Sequence, residues 1–209
     1  MQKGRFDTRA LTGLGLLTAV VVVLQLLGSF IRFGPFSISL VLIPIVVGAA
    51  LYGMLAGAWL GFVFGIVVLL SGDAALFLAI NPLGTVLVVI LKGALAGLCA
   101  GVVYKALSRI DIQILLMVKG KEKWGVELAV IAAAIAAPVV NTGIFLLGCL
   151  AFFMPTVTEW SVGMGFDNVG RYMILGLVGG NFLFELLFNV VLSPVIVRLI
   201  RIGRKEIRK

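Results

Sequence analysis

Gly53-Met54-Leu55-Ala56-Gly57-Ala58-Trp59-Leu60-Gly61-Phe62-Val63-Phe64-Gly65 and Gly93-Ala94-Leu95-Ala96-Gly97-Leu98-Cys99-Ala100-Gly101 place glycine at every fourth residue of two apolar runs. Glycine costs a helix about 1 kcal/mol relative to alanine in water, so a repeated spacing requires a reason. Residues four apart share one helical face, and a face stripped of side chains lets another backbone approach closely, as in the G-x-x-x-G packing of membrane helices. The two runs therefore read as membrane helices shaped for close contact. Either they form fixed packing seams, or they offer smooth faces on which neighbours slide.

Composition agrees with a bilayer. Hydrophobic residues make up 62% of the 209 positions and charged residues 12%, and the charges gather in a few places, leaving apolar runs near the roughly 20 residues that cross a hydrocarbon core. The chain reads as an all-α integral membrane protein with one domain, residues 1–209. Its spans are expected at approximately 10–31, 38–52, 54–71, 83–107, 124–153 and 172–197. Leu40 to Leu70 reads either as one long kinked helix or as two short ones turning at Tyr52 and Gly53.

Charge decides the count. Lys3, Arg5 and Arg9 precede the first span, Lys105, Arg109, Lys119, Lys121 and Lys123 follow the fourth, and Arg198, Arg201, Arg204, Lys205, Arg208 and Lys209 end the chain. Six spans put all three groups in the cytoplasm with both termini, leaving Arg32 and Arg171 outside, as the positive-inside rule expects. Five spans would strand the middle cluster outside. The net charge of +8 is thus topology rather than nucleic-acid binding. The first span is too long for a signal-peptide core and has no A-x-A-like site after it, so it is expected to remain as a helix.

Several chemistries are excluded or disfavoured. The chain has no histidine, which removes histidine-activated nucleophiles and leaves a poor set of transition-metal ligands. Cys99 and Cys149 lie within predicted spans and read as small apolar residues, with neither a C-x-x-C motif nor a disulfide framework. No G-x-x-x-x-G-K-[ST] loop holds a nucleotide, and Asp73 lacks an evident second catalytic carboxylate. The expectation is a protein that is not an enzyme and carries no cofactor or metal. If it drives uphill transport with ATP, another chain supplies the ATPase.

The outer connections carry a different signal. Arg32-Phe33-Gly34-Pro35-Phe36-Ser37 is too rich in turn formers to continue a helix. Ser71 to Pro82 and the stretch holding Thr156, Thr158, Trp160, Phe166, Asp167 and Asn168 mix aromatic, apolar and hydrogen-bonding residues. That mixture suits lids over a small-molecule site, and equally suits interfacial aromatics that anchor helix ends. Polar residues inside the spans are sharper, because an ionised, unpaired side chain costs about 2.5 kcal/mol or more at the membrane centre. Lys92 lies in span four, Asn141 in span five, and Asn181, Glu185 and Asn189 share one face of span six by their spacing. At about 1.5 Å per residue, Lys92 and Glu185 fall near the midplane and the first two asparagines in the outer half. Pro138 is expected to interrupt span five beside Asn141 and Thr142. Three helices thus aim polar groups at one level beneath the loops. The alternative is a Lys92–Glu185 ion pair that merely ties spans four and six together.

The run Gly34-Pro35-Phe36-Ser37-Ile38-Ser39-Leu40, then Pro44 to Gly53, then Ala56 to Gly65, resembles the substrate-binding S components of energy-coupling factor (ECF) transporters. Asn81-Pro82-Leu83, the striped fourth span, the length and the six-span plan match as well, over nearly the whole chain. The resemblance implies a subunit that binds a vitamin or related micronutrient with high affinity, without ATPase activity, sitting in a prokaryotic plasma membrane. Its implied partners are a membrane coupling subunit and two cytoplasmic ATPases, on which it topples to carry substrate inward. It also implies a site at the outer ends of spans four to six, closed by the loops after spans one, three and five. The candidate binding residues are Phe36, Asn81, Lys92, Asn141, Trp160, Asn181 and Glu185. Small residues four apart on the first span, Gly15 and Ala19, are the expected coupling face, and smooth glycine faces would ease rotation against partner helices.

The Gly-Pro-Phe-Ser and Asn-Pro-Leu segments look most similar to the pantothenate-type and riboflavin-type branches. Lys92 suits a carboxylate substrate, which favours pantothenate. If Glu185 neutralises it, riboflavin is equally good, with Trp160, Phe36 and Phe77 stacking on the ring. Two other classes stay open: an ion-coupled secondary transporter working through Glu185 or Asp73, and a purely structural scaffold, which leaves the polar cluster without a purpose.

Overall fold

The structure, a computed structural model, describes residues 8–30, 32–33, 36–37, 40–109 and 124–207, with side chains over 8–30, 40–108 and 126–203. The chain runs α1 (Thr8–Gly28), β1 (Arg32–Phe33), β2 (Phe36–Ser37), α2 (Leu42–Tyr52), α3 (Met54–Leu70), α4 (Ala75–Ile80), α5 (Pro82–Arg109), α6 (Trp124–Phe152), α7 (Met154–Gly163), α8 (Val169–Arg171), a π-helical turn over Tyr172–Leu177, α9 (Gly179–Val191) and α10 (Ser193–Ile207). The strands form one two-residue antiparallel ladder, Arg32 opposite Ser37 and Phe33 opposite Phe36. Among the described residues three helices, α1, α5 and α6, are long and apolar enough to cross a membrane, and the bent pair 169–177 with α9 counts as a fourth if it is taken as one span.

Leu40 to Leu70 is two helices, separated at Gly53 with φ +97°. That left-handed value is open to glycine and costly to other residues. Gly53 therefore ends α2 rather than belonging to the packing stripe, and its N–H closes the last turn on the Ala49 carbonyl at 3.1 Å. With 11 residues, α2 spans only about 16 Å at 1.5 Å per residue. Pro44 sits in its first turn, where a missing N–H is harmless. Nearly all of α2 is buried, from Leu42 through Ala50, and with Leu60, Phe64, Ala133, Ala137 and Ile196 it forms the main apolar core.

The glycine stripes face one another. A methyl group added to Gly57 would strike the Gly97 carbonyl, and one on Gly61 the Gly93 carbonyl; Gly65 abuts Val89 and Ile90, and Gly101 abuts Met54. α3 and α5 thus cross antiparallel with backbones in contact. The seam is internal to the chain, so of the two readings of the stripes the structure shows close packing of α3 on α5, with these glycines facing each other rather than outward. A second seam joins α5 to α6, where Gly148 meets Val88 and Gly84 meets Phe152.

Four further expectations change. α6 runs from Trp124 to Phe152 straight through Pro138. The connections 71–82 and 154–168 hold the helices α4 and α7, each pinned by one buried apolar residue, Phe77 in α4 and Val157 in α7, while Leu76, Ile80 and Val162 stay exposed. The stretch 172–197 is not one helix. It bends by 47° between Leu177 and Gly179, breaks again at Leu192, and continues as the separate helix α10 carrying Arg198 and Arg201. Asn168 caps α8, its Oδ1 accepting from Arg171 N–H at 3.1 Å. Lys3, Arg5, Lys119, Lys121, Lys123, Arg208 and Lys209 lie outside the described residues, as do the side chains of Arg32, Phe36, Arg109, Arg204 and Lys205.

Candidate ligand-binding chamber

Six elements enclose one polar chamber. α1 contributes Gln25, α3 Phe64 and Val68, the turn into α4 Asp73 and Ala74 with Phe77 beyond, α5 Val89 and Lys92, α6 Asn141 and Phe145, and α9 Asn181 and Glu185. The pairs on α3, α6 and α9 are four apart, so each helix turns one face inward. Gly72, at φ +81°, lets the chain turn after α3 and brings Asp73 into the chamber lining.

Lys92 is the chamber's cation. Its Nζ lies 5.7 Å from the Phe64 ring centroid and 5.7 Å from that of Phe145, within the range over which an aromatic face attracts an ammonium. Glu185 and Asp73 are near enough for their charges to act on it. Among the described residues, however, the salt bridge is Arg201 to Glu127 at 2.7 Å, and none joins Lys92 to Glu185. Glu185 is 1% exposed and takes its hydrogen bond from Asn181 Nδ2 at 3.1 Å, while Asn141 lies beside the same carboxylate. On the opposite wall Gln25 Nε2 donates to Asp73 Oδ2 at 2.7 Å, tying α1 to the α3–α4 turn.

Several buried oxygens here are left over. Gln25 Oε1, Asn141 Oδ1 and Asn181 Oδ1 accept no hydrogen bond from the protein, although buried polar atoms are nearly always satisfied. Gln25 is 1% exposed and Asn141 5%. Groups so placed are stable only if something supplied to the chamber donates to them.

An aromatic cluster roofs the chamber. Phe77 meets Phe145, Phe153 and Trp160 edge-on, with centroids at 5.4, 5.0 and 5.7 Å. The cavity beneath is about 60 Å³, well under the roughly 300 Å³ at the small end of ligand sites.

Of the residues expected at a site, Lys92, Asn141, Asn181 and Glu185 come together here. Asn81 does not line the chamber: its Oδ1 accepts the Gly84 N–H at 2.9 Å, capping α5. Trp160 stands behind Phe77 rather than in the lining. The Phe36 side chain lies outside the described residues. Gly15 and Ala19 sit on the exposed face of α1, and nothing lies within 4 Å of a methyl group added to Gly15. Sequence reasoning missed Gln25, the one amide of an otherwise apolar helix face, which its isolation in α1 signalled. It also missed Phe64, Val68, Val89 and Phe145, which nothing in the sequence separates from ordinary core.

The family model described as ECF transporter, substrate-specific component, matches residues 9–197. No curated protein and no solved structure matches the chain.

Proposed function

The chain belongs to the family of ECF transporter substrate-specific components, and from that premise we propose that the chamber around Lys92 binds a micronutrient from outside the cell for delivery inward. The family is a transporter component rather than an enzyme family, and its membership makes the chain the substrate-specific subunit of an ECF uptake system with a small-molecule substrate and a coupling module as partner. Six spans with both termini inside a prokaryotic plasma membrane suit the basic clusters. α2 and α3 then share the work of crossing with the buried core, and the chamber lies toward the outer face beneath α4 and α7.

One observation carries the choice of substrate. Lys92 rests between two aromatic rings without a direct bond to Glu185, leaving its ammonium for a ligand carboxylate, where a charge-assisted hydrogen bond is strong. Pantothenate is the substrate we favour. Riboflavin is the second reading, supported by Phe64, Phe77 and Phe145 in the lining, which offer faces and edges to a flat ring. Either ligand requires the chamber to widen. α4 is the wall least committed to the bundle, being six residues long and held chiefly through Phe77.

Mass spectrometry of small molecules carried through purification, followed by calorimetric titration with pantothenate and riboflavin, tests the assignment. A captured pantothenate that titrates at one site supports it. Binding of riboflavin alone moves the assignment to the second reading, and failure of both compounds removes it.

A further inference from the structure

Two carboxylates decide what the amide side chains of the chamber offer. A carboxylate accepts hydrogen bonds, so an amide beside it presents its NH₂ group. Gln25 does this toward Asp73 and Asn181 toward Glu185. Each amide is thereby held in one of its two orientations, with its carbonyl oxygen turned from the acid. Those oxygens and Asn141 Oδ1 are buried and accept nothing from the protein. Three unmet amide acceptors on α1, α6 and α9, with Glu185 Oε2 beside them, therefore surround one cavity, whose cationic donor is Lys92. A ligand with a single carboxylate and nothing else would satisfy Lys92 and leave all three oxygens desolvated and unpaired.

Resting on the reading of this chamber as the ligand site, we propose that Gln25, Asn141 and Asn181 are specificity-determining residues that select a ligand bearing a cluster of hydroxyl or N–H donors, and that Asp73 and Glu185 are positioning residues that hold the Gln25 and Asn181 amides in the accepting orientation. Discrimination of this kind is steep, because a site built to hydrogen-bond a donor rejects the analogue that lacks it.

The full chain, purified in detergent, is titrated with pantothenate, riboflavin and donor-poor counterparts of each: pantothenate with both hydroxyls O-methylated, and lumiflavin, which keeps the ring without the hydroxylated chain. Nicotinate and lipoate serve as acids without a donor cluster. The parent that binds is expected to do so at least about 100-fold more tightly than its counterpart. In Glu185→Gln, whose own amide allows Asn181 to turn over, that ratio falls toward one while the melt stays cooperative; if this variant does not fold, Asn181→Ala gives the same readout. Equal binding of parent and counterpart, or tightest binding of nicotinate or lipoate, overturns the proposal and leaves the chamber a ligand site. A parent-to-counterpart ratio unchanged by these variants overturns the roles given to Glu185 and Asn181. No binding by any of the compounds overturns the chamber reading itself, and the proposal with it.

Discussion

Lys92 is the residue on which the chemistry turns. A lysine within a membrane span must be paired, neutral or in contact with water, and here two phenyl rings hold its ammonium in place of a carboxylate. Lys92→Met should therefore remove binding of an acidic vitamin while leaving the protein folded, as read by titration and thermal melts. Had Glu185 been a direct partner, breaking the pair would cost about 3 to 5 kcal/mol of stability, with Glu185→Gln in the double variant restoring much of it; that rescue, if observed together with restored binding, would exclude the carboxylate ligand. Asn141→Ala and Asn181→Ala should each weaken binding by about 1 to 3 kcal/mol, the cost of leaving a desolvated ligand group without its partner. Unchanged affinity in both variants would place the pocket elsewhere. At this scale the sequence showed Lys92, Asn141, Asn181 and Glu185, because polar side chains stand out in apolar spans, but Gln25 was passed over. It could not separate Asn81, spent on capping α5, from Asn181, since both are asparagines beside turn-forming residues.

Among the elements, glycine has two opposite uses. On α3 and α5 it removes atoms so that two backbones touch. Gly61→Val should therefore unfold the protein or lower its stability by about 3 kcal/mol or more, since overpacking against the Gly93 backbone cannot be relieved by a rotamer change; a cooperative melt near that of the unaltered chain would argue against the seam. On α1 the small residues face outward, with open space at Gly15. Gly15→Leu with Ala19→Leu should leave the melt and ligand binding unchanged while abolishing assembly with the coupling module, measured by co-purification. Loss of folding and assembly together would signal misfolding, and intact assembly would remove the interface. The spacing was legible for all of these glycines, and the direction each face points was not.

For the whole molecule, the reading of a substrate-specific subunit requires that the chain alone bind but not pump. Reconstituted by itself in liposomes it should accumulate no ligand, and addition of the coupling subunit, its ATPases and ATP should start uptake; uptake by the chain alone, driven by an ion gradient, would support a secondary transporter instead. Apolar runs, glycine spacing and clustered lysines and arginines are local properties of the chain, so the sequence by itself determined the helical membrane class, the near-exact limits of α5 and α6, and the residues of α5, α6 and α9 that bring polarity into the spans, while Leu40 to Leu70 stayed open between one kinked helix and two. Which surfaces meet is decided by packing among segments distant along the chain. Only the tertiary structure set one glycine stripe against the other, bent the last span at Val178, folded α4 and α7 over the chamber, and brought Gln25 of α1 to Asp73 across 48 residues of sequence. A side chain's neighbours across the bundle leave no periodic mark in its own helix, and those neighbours determine whether an amide caps a turn or waits for a ligand.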